Sequence, residues 1–127
     1  MGKFNSFEEI NSWQKARGLN KKIYLATDSN TFKRDFDLAR QIRRASVSIS
    51  SNIAEGFERN TDKEFIHFLY IAKASAGEVR SQLYLALDLD YISPELFEEL
   101  QNEVTEISKL LSGFIKYLSK QNIVSPL

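Results

Sequence analysis

The sequence predicts an all-α fold, an antiparallel up-down-up-down four-helix bundle forming one domain over residues 1–127. Three observations lead there. Two prolines and five glycines punctuate the whole chain, so long unbroken elements are expected. Apolar residues recur in successive segments at steps of three and four, the helical period. Each stripe but the second opens on a residue pattern that caps a helix.

The first helix is expected after Ser6, because Ser6-Phe7-Glu8-Glu9 has the form of a capping box. Ile10, Trp13, Ala16, Leu19, Ile23 and Ala26 then lie on one face, and Gly18 weakens the middle by about 1 kcal/mol relative to alanine. The polar cluster Thr27-Asp28-Ser29-Asn30-Thr31 ends it. A second helix spans about 35–58, with Leu38, Ile42, Ala45, Ile49, Ile53 and Gly56 inward. Its serine-rich middle, Ser46 to Asn52, is a poor helix former taken alone. The longer stripe decides for helix, and the small side chains should let a neighbour approach closely.

Thr61-Asp62-Lys63-Glu64 is a second capping box and opens the third helix. Phe65, Phe68, Leu69, Ala72, Ala76, Val79, Leu83 and Leu87 supply its core stripe. Ser93-Pro94 begins the fourth helix, with serine as cap and proline at the first helical position. Leu100, Val104, Ile107, Leu111, Phe114 and Leu118 follow at heptad spacing, suited to the shallow crossing of a bundle. Short connections make consecutive helices antiparallel neighbours. A frayed tail is expected from Asn122.

Composition narrows the function classes. Hydrophobic residues make up 43% and charged residues 27%, the balance of a globular chain. With no cysteine, thiolate catalysis, disulfides and thiolate metal sites are excluded, and a reducing, cytoplasmic setting of bacterial type is expected. No apolar run reaches the roughly 20 residues of a membrane span, and the first six residues do not read as a secretory leader. Net charge is zero yet polarised: residues 1–60 carry 11 basic and 7 acidic side chains, residues 61–127 carry 6 and 10. Such a layout permits a basic face for an anionic partner or head-to-tail self-association.

The most distinctive stretch runs from Gln41 to Gly56, Gln-Ile-Arg-Arg-Ala-Ser-Val-Ser-Ile-Ser-Ser-Asn-Ile-Ala-Glu-Gly. It resembles the signature of bacterial four-helix-bundle proteins first noticed as open reading frames inside intervening sequences of large-subunit ribosomal RNA genes. Trp13-Gln14-Lys15-Ala16-Arg17, Phe65 to Ala72, Ser75-Ala76-Gly77-Glu78 and Asp90-Tyr91-Ile92 are similar to further segments of that family, so the resemblance covers about residues 7–118. Phe32-Lys33 replaces the family's usual Phe-Pro, which predicts a less rigid turn, and Ala74 replaces a usual glycine. The resemblance implies a ring-like homopentamer and kinship with the accessory protein of diversity-generating retroelements, which binds a reverse transcriptase and nucleic acid.

Four groups of residues are candidate sites. Arg40, Arg43 and Arg44, with Arg17, Lys21 and Lys22 from the first helix, could form a basic surface for RNA or DNA phosphates. Solvated or ion-paired arginines are the commoner explanation of such a face, with Asp37 one turn before Arg40. The resemblance marks Asn52, Glu55 and Glu78, expected to form a structural polar network with Arg43, Arg44 or Arg80 rather than an acid–base pair. Glu64 and His67 have the spacing of di-iron bundles, but those need two such motifs. With a single histidine in the chain, an ion pair is expected, and no metal or other cofactor. Ile66, Tyr70, Gly77 and Tyr84 form a second stripe on the third helix, rotated from its core face, which reads as a subunit interface.

No Ser-His-Asp grouping, Gly-rich phosphate loop or paired metal motif is present, so no enzyme is expected. The expected function is a non-catalytic oligomeric scaffold. It would engage nucleic acid, or a nucleic-acid enzyme such as a reverse transcriptase, through the basic face. The alternative is a purely protein-binding or structural homo-oligomer.

Overall fold

The computed structural model describes residues 4–124, which form helices and connecting turns with no strand among them. Five α-helices follow in order: α1 (Asn11–Thr27), α2 (Asn30–Arg34), α3 (Phe36–Phe57), α4 (Asp62–Asp88) and α5 (Pro94–Val124). The four long ones pack around one core; α2 is a single short turn of helix in the first connection. That extra helix corrects the expected count of four.

Each long helix touches two neighbours: α1 lies on α3 and α5, and α4 lies on α3 and α5. Side-chain pairs show that neighbours run antiparallel. Late α1 meets early α3 through Thr27 and Arg43, and late α3 meets early α4 through Phe57 and Phe65. Late α4 meets early α5 through Tyr84 and Phe97. α1 and α5 run antiparallel too, since Lys15 meets Glu106 whereas Lys22, further along α1, meets Glu99, earlier in α5.

The core follows the stripes read from the helical period, except that Trp13 and Phe114 are only half-buried and Ile115 is buried beside Phe114. Leu19, Ile23, Ile42, Ile49, Ile53, Leu69, Leu83, Leu100, Ile107 and Leu111 are fully buried. Phe68 and Leu87 are half-buried at the edge of α4, and the inward positions there go instead to Ser75 and Ala86. Gly56 is required at the α3–α4 crossing: a Cβ there would stand 2.8 Å from both Phe65 Cδ1 and Phe68 Cβ.

The caps expected from the sequence form with one exception. Thr61 Oγ1 accepts from the Glu64 backbone N–H at 3.1 Å, and Ser93 Oγ from that of Leu96 at 3.1 Å, as expected. Ser6 makes no side-chain cap. Phe7–Glu9 forms a separate 3-10 turn, Ile10 is extended and buried, and α1 begins only at Asn11. Burying Ile10 under the bundle breaks the helix that the capping box suggested.

α4 ends in a Schellman turn. Asp90 takes the left-handed conformation (φ 60°), while Asp90 N–H donates to Leu87 O and Tyr91 N–H to Ala86 O. In the first connection, Phe32 is buried and stacks on Tyr91, ring centroids 5.1 Å apart. Where the resembled family has proline after phenylalanine, Lys33 thus continues a helical turn pinned by Phe32. The frayed tail expected from Asn122 is corrected in part, since α5 continues to Val124; residues 125–127 lie outside the described residues. No described helix is long and apolar enough to cross a membrane.

Candidate nucleic-acid interface

Basic residues gather where the C-terminal end of α1, the short α2 and the first turns of α3 meet. An open cleft of about 530 Å³ lies there, lined by Tyr24, Thr27, Asp28, Lys33, Phe36, Ala39, Arg40, Arg43 and Arg44. Four cations face one carboxylate, Asp28. Arg40 and Arg44 are exposed, Arg43 half-buried. Among the described residues none of the four cations is ion-paired, and the expected Asp37–Arg40 pair does not form.

Arg43 is the organised member. Its Nε–H donates to Thr27 Oγ1 at 2.6 Å, and the Thr27 hydroxyl donates to Ile23 O at 2.8 Å, closing a short chain back to the α1 backbone. The guanidinium carbon lies 4.4 Å from the centroid of the Tyr24 ring, a cation–π contact. These contacts hold the fork without neutralising its charge. Its other N–H groups have no partner among the described residues, so they can donate to an oxygen anion.

The sequence-derived basic set is only partly assembled. Arg40, Arg43 and Arg44 line the cleft; Arg17 and Lys21 do not, although they share with Tyr24 one stripe of α1 at steps of four and three. Arg17 stands 6.0 Å from the Trp13 ring centroid. Lys22 is a correction: it projects to the other side of α1 and pairs with Glu99 at 2.8 Å and with Glu103. Hydrogen bonds to Glu103 and then Glu99 raise its pKa above the ordinary lysine value. Lys33, Tyr24 and Phe36 belong to the cleft and are not legible as such in the sequence. Aromatic residues carry no charge to mark them, and the polar cluster that holds the start of α2 reads as a loop.

The expected polar network also divides. Asn52 Nδ2 donates to Ser48 O at 2.8 Å and to Ser48 Oγ at 2.9 Å. Ser48 Oγ lies 2.9 Å from Ser75 Oγ, joining α3 to α4. Glu55 is not in this network; it is exposed and pairs with Arg59 at 2.9 Å. Glu78 is exposed too, in a cleft with Arg44, Ser48 and Gln82, and makes no ion pair among the described residues. The serines of α3 do more than permit close approach. Asn20 of α1 donates to Ser50 Oγ at 3.0 Å and accepts from Ser46 Oγ at 2.7 Å, so one amide bridges both helices.

His67 and Glu64 do not form the expected ion pair. Glu64 lies 3.9 Å from Arg59 and accepts from Thr61, while His67 packs edge-on against Phe68. Of the second α4 stripe, Tyr70 and Tyr84 are each 56% exposed and Ile66 is half-buried. A Cβ at Gly77 would meet no atom within 4 Å. Tyr84 is not wholly unpartnered, since its ring packs on Phe97 at 5.0 Å.

Residues 8–113 match the family model described as 23S rRNA-intervening sequence protein. Among solved structures, the chain is similar to the crystal structure of a protein of unknown function from the S23 ribosomal protein family of Bacteroides thetaiotaomicron VPI-5482. That match has a TM-score of 0.77 at 32% identity, covering 83% of this chain and 95% of the other. Comparison with the curated proteins gives no match.

Proposed function

The chain belongs to the 23S rRNA-intervening sequence protein family, and from that premise we propose that it is a non-catalytic, oligomeric, cytoplasmic helical scaffold binding nucleic acid through the α1–α3 cleft. The observation that supports this reading is Arg43, held by Thr27 and Tyr24 with no carboxylate against it. A structural arginine is normally neutralised by an acid; one that is oriented and left charged suits a phosphate. Lys33, Arg40 and Arg44 beside it extend the positive field. Contacts of this kind are dominated by the backbone, so binding is salt-sensitive and weakly sequence-selective. The same surface suits a complex with an enzyme that acts on nucleic acid, a reverse transcriptase among them.

The test is RNA and DNA binding across a salt series, beside an Arg40→Glu/Arg44→Glu variant. Both side chains are exposed, so the bundle should survive the change. Binding that weakens steeply with salt and is lost in the variant supports the proposal. No binding at low salt refutes it.

A second reading, a protein-binding or structural homo-oligomer, is favoured by Tyr70, Gly77 and the exposed part of Tyr84 on α4. Small and aromatic residues on an unpartnered helix face suit a second copy of the chain. The resemblance makes a ring of five the specific form of that assembly. Light scattering decides it: a monomer at micromolar concentration removes the oligomer from either reading.

A further inference from the structure

Phe36 is the most exposed large apolar side chain of the described residues, 75% accessible, and it stands on the rim of the basic cleft. A lone exposed phenylalanine means little by itself. Here Phe36 lines the same cleft as Lys33, Arg40, Arg43 and Arg44. On its other side lie Arg34, Asp35, Asp37 and Tyr91. Asp35 spends both carboxylate oxygens within the protein, on Leu38 N–H and the Tyr91 hydroxyl, which leaves Asp37 as the carboxylate on that side with no partner among the described residues. Tyr24, the other aromatic residue of the cleft, already has Arg43 over its ring. Phe36 is the more exposed of the two rings, and no cation is stacked on it among the described residues.

We infer that the cleft takes single-stranded rather than duplex nucleic acid, with one unstacked base seated on Phe36 and the adjoining phosphates on Arg40, Arg43 and Arg44. This rests on the cleft being the nucleic-acid surface. A duplex keeps its bases inside and offers only phosphates and groove edges, so it has no use for an exposed ring. A single strand offers π-faces to aromatic platforms and phosphates to a cationic groove at once. At roughly 530 Å³ the open cleft is large enough to take a nucleoside unit. Asp28 at the α1 end and Asp37 beyond Phe36 bound the positive surface, so the strand's phosphates are directed along α3 between them.

The experiment is fluorescence anisotropy at low salt with a labelled single strand and with a hairpin duplex of the same composition. It uses the wild-type chain, Phe36→Ala, Phe36→Trp and Arg40→Glu/Arg44→Glu. The single strand should bind about tenfold more tightly than the duplex. Phe36→Ala should cost about tenfold on the single strand and nothing on the duplex, and Phe36→Trp should restore the single-strand affinity, which a loss of folding would not allow. Equal affinities for both forms, with Phe36→Ala silent and the double charge reversal abolishing binding, overturn the strand preference while the basic-cleft reading stands. Absence of binding to either form overturns both.

Discussion

The Tyr91 hydroxyl donates to Asp35 Oδ2 at 2.9 Å across 56 residues of chain. The other oxygen of Asp35 accepts from the Leu38 backbone N–H at 3.0 Å, capping α3. One carboxylate therefore starts α3 and ties it to the turn between α4 and α5, next to Phe36 and the cleft. The hydrogen bond to Asp35, followed by desolvation and the carboxylate's charge, favours the neutral phenol and raises the Tyr91 pKa. A raised folded-state pKa means that the contribution is complete below the unfolded value of about 10 and is lost as pH climbs through the folded one. Tyr91→Phe should lower the melting temperature by a few degrees at neutral pH. It should also flatten the alkaline limb of the pH–stability curve, measured by thermal denaturation; an unchanged limb would contradict the assignment.

Gly56→Ala should destabilise the fold although alanine is the better helix former. The new Cβ would meet Phe65 Cδ1 and Phe68 Cβ at 2.8 Å and the Phe65 carbonyl oxygen at 3.2 Å. A Cβ and a backbone oxygen cannot swing aside, so α3 and α4 must separate. Overpacking of this sort costs about 1–3 kcal/mol, more than the propensity gain of up to about 1 kcal/mol. Gly18→Ala is the control: nothing lies within 4 Å of its Cβ position, so about 1 kcal/mol of stabilisation is expected. Urea titration of both variants checks the opposite signs.

Asn20→Ala should cost about 1–3 kcal/mol, because the buried Ser46 hydroxyl then loses its acceptor. The same substitution in a Ser46→Ala/Ser50→Ala background should cost far less, since no hydroxyl is left stranded. A double-mutant cycle by urea denaturation measures the difference, and additive effects would contradict the bridge. By contrast Glu78→Gln, at an exposed and unpaired site, should stay within about 0.5 kcal/mol of wild type.

The helices of the bundle are legible in the sequence because burial is periodic: Leu38, Ile42, Ala45, Ile49 and Ile53 can face only one way along α3. Local hydrogen bonding is legible at Thr61 and Ser93, where cap and helix are adjacent in sequence. It fails at Ser6, where a tertiary demand, the burial of Ile10, outweighs a local one. The same distinction runs through the site. Arg40, Arg43 and Arg44 share a helix and stand out together, whereas the Thr27 and Tyr24 that orient Arg43 come from a different helix. Asn20 gives no signal for the same reason, its partners lying 26 and 30 residues away. Charge type alone cannot tell Lys22 from Lys21, because the side of α1 on which each falls depends on where α5 packs.

Lys22 and Arg44 provide the sharpest contrast, since both are cations counted on one basic face by sequence and the fold separates them. Lys22 is held by Glu99 and Glu103 across the α1–α5 seam, while Arg44 is exposed in the cleft without an ion pair among the described residues. A cation already neutralised within the protein displaces no counterion when nucleic acid binds. Lys22→Gln should therefore leave affinity and its salt dependence unchanged within about twofold and lower the melting temperature slightly. Arg44→Gln should spare stability and reduce the slope of log affinity against log salt by about 0.7 for a single strand, or about 0.9 for duplex, for each phosphate it no longer neutralises. Salt titrations of the two variants read out both effects. A reduction of slope in Lys22→Gln equal to that in Arg44→Gln would place the binding surface on the α1–α5 side instead.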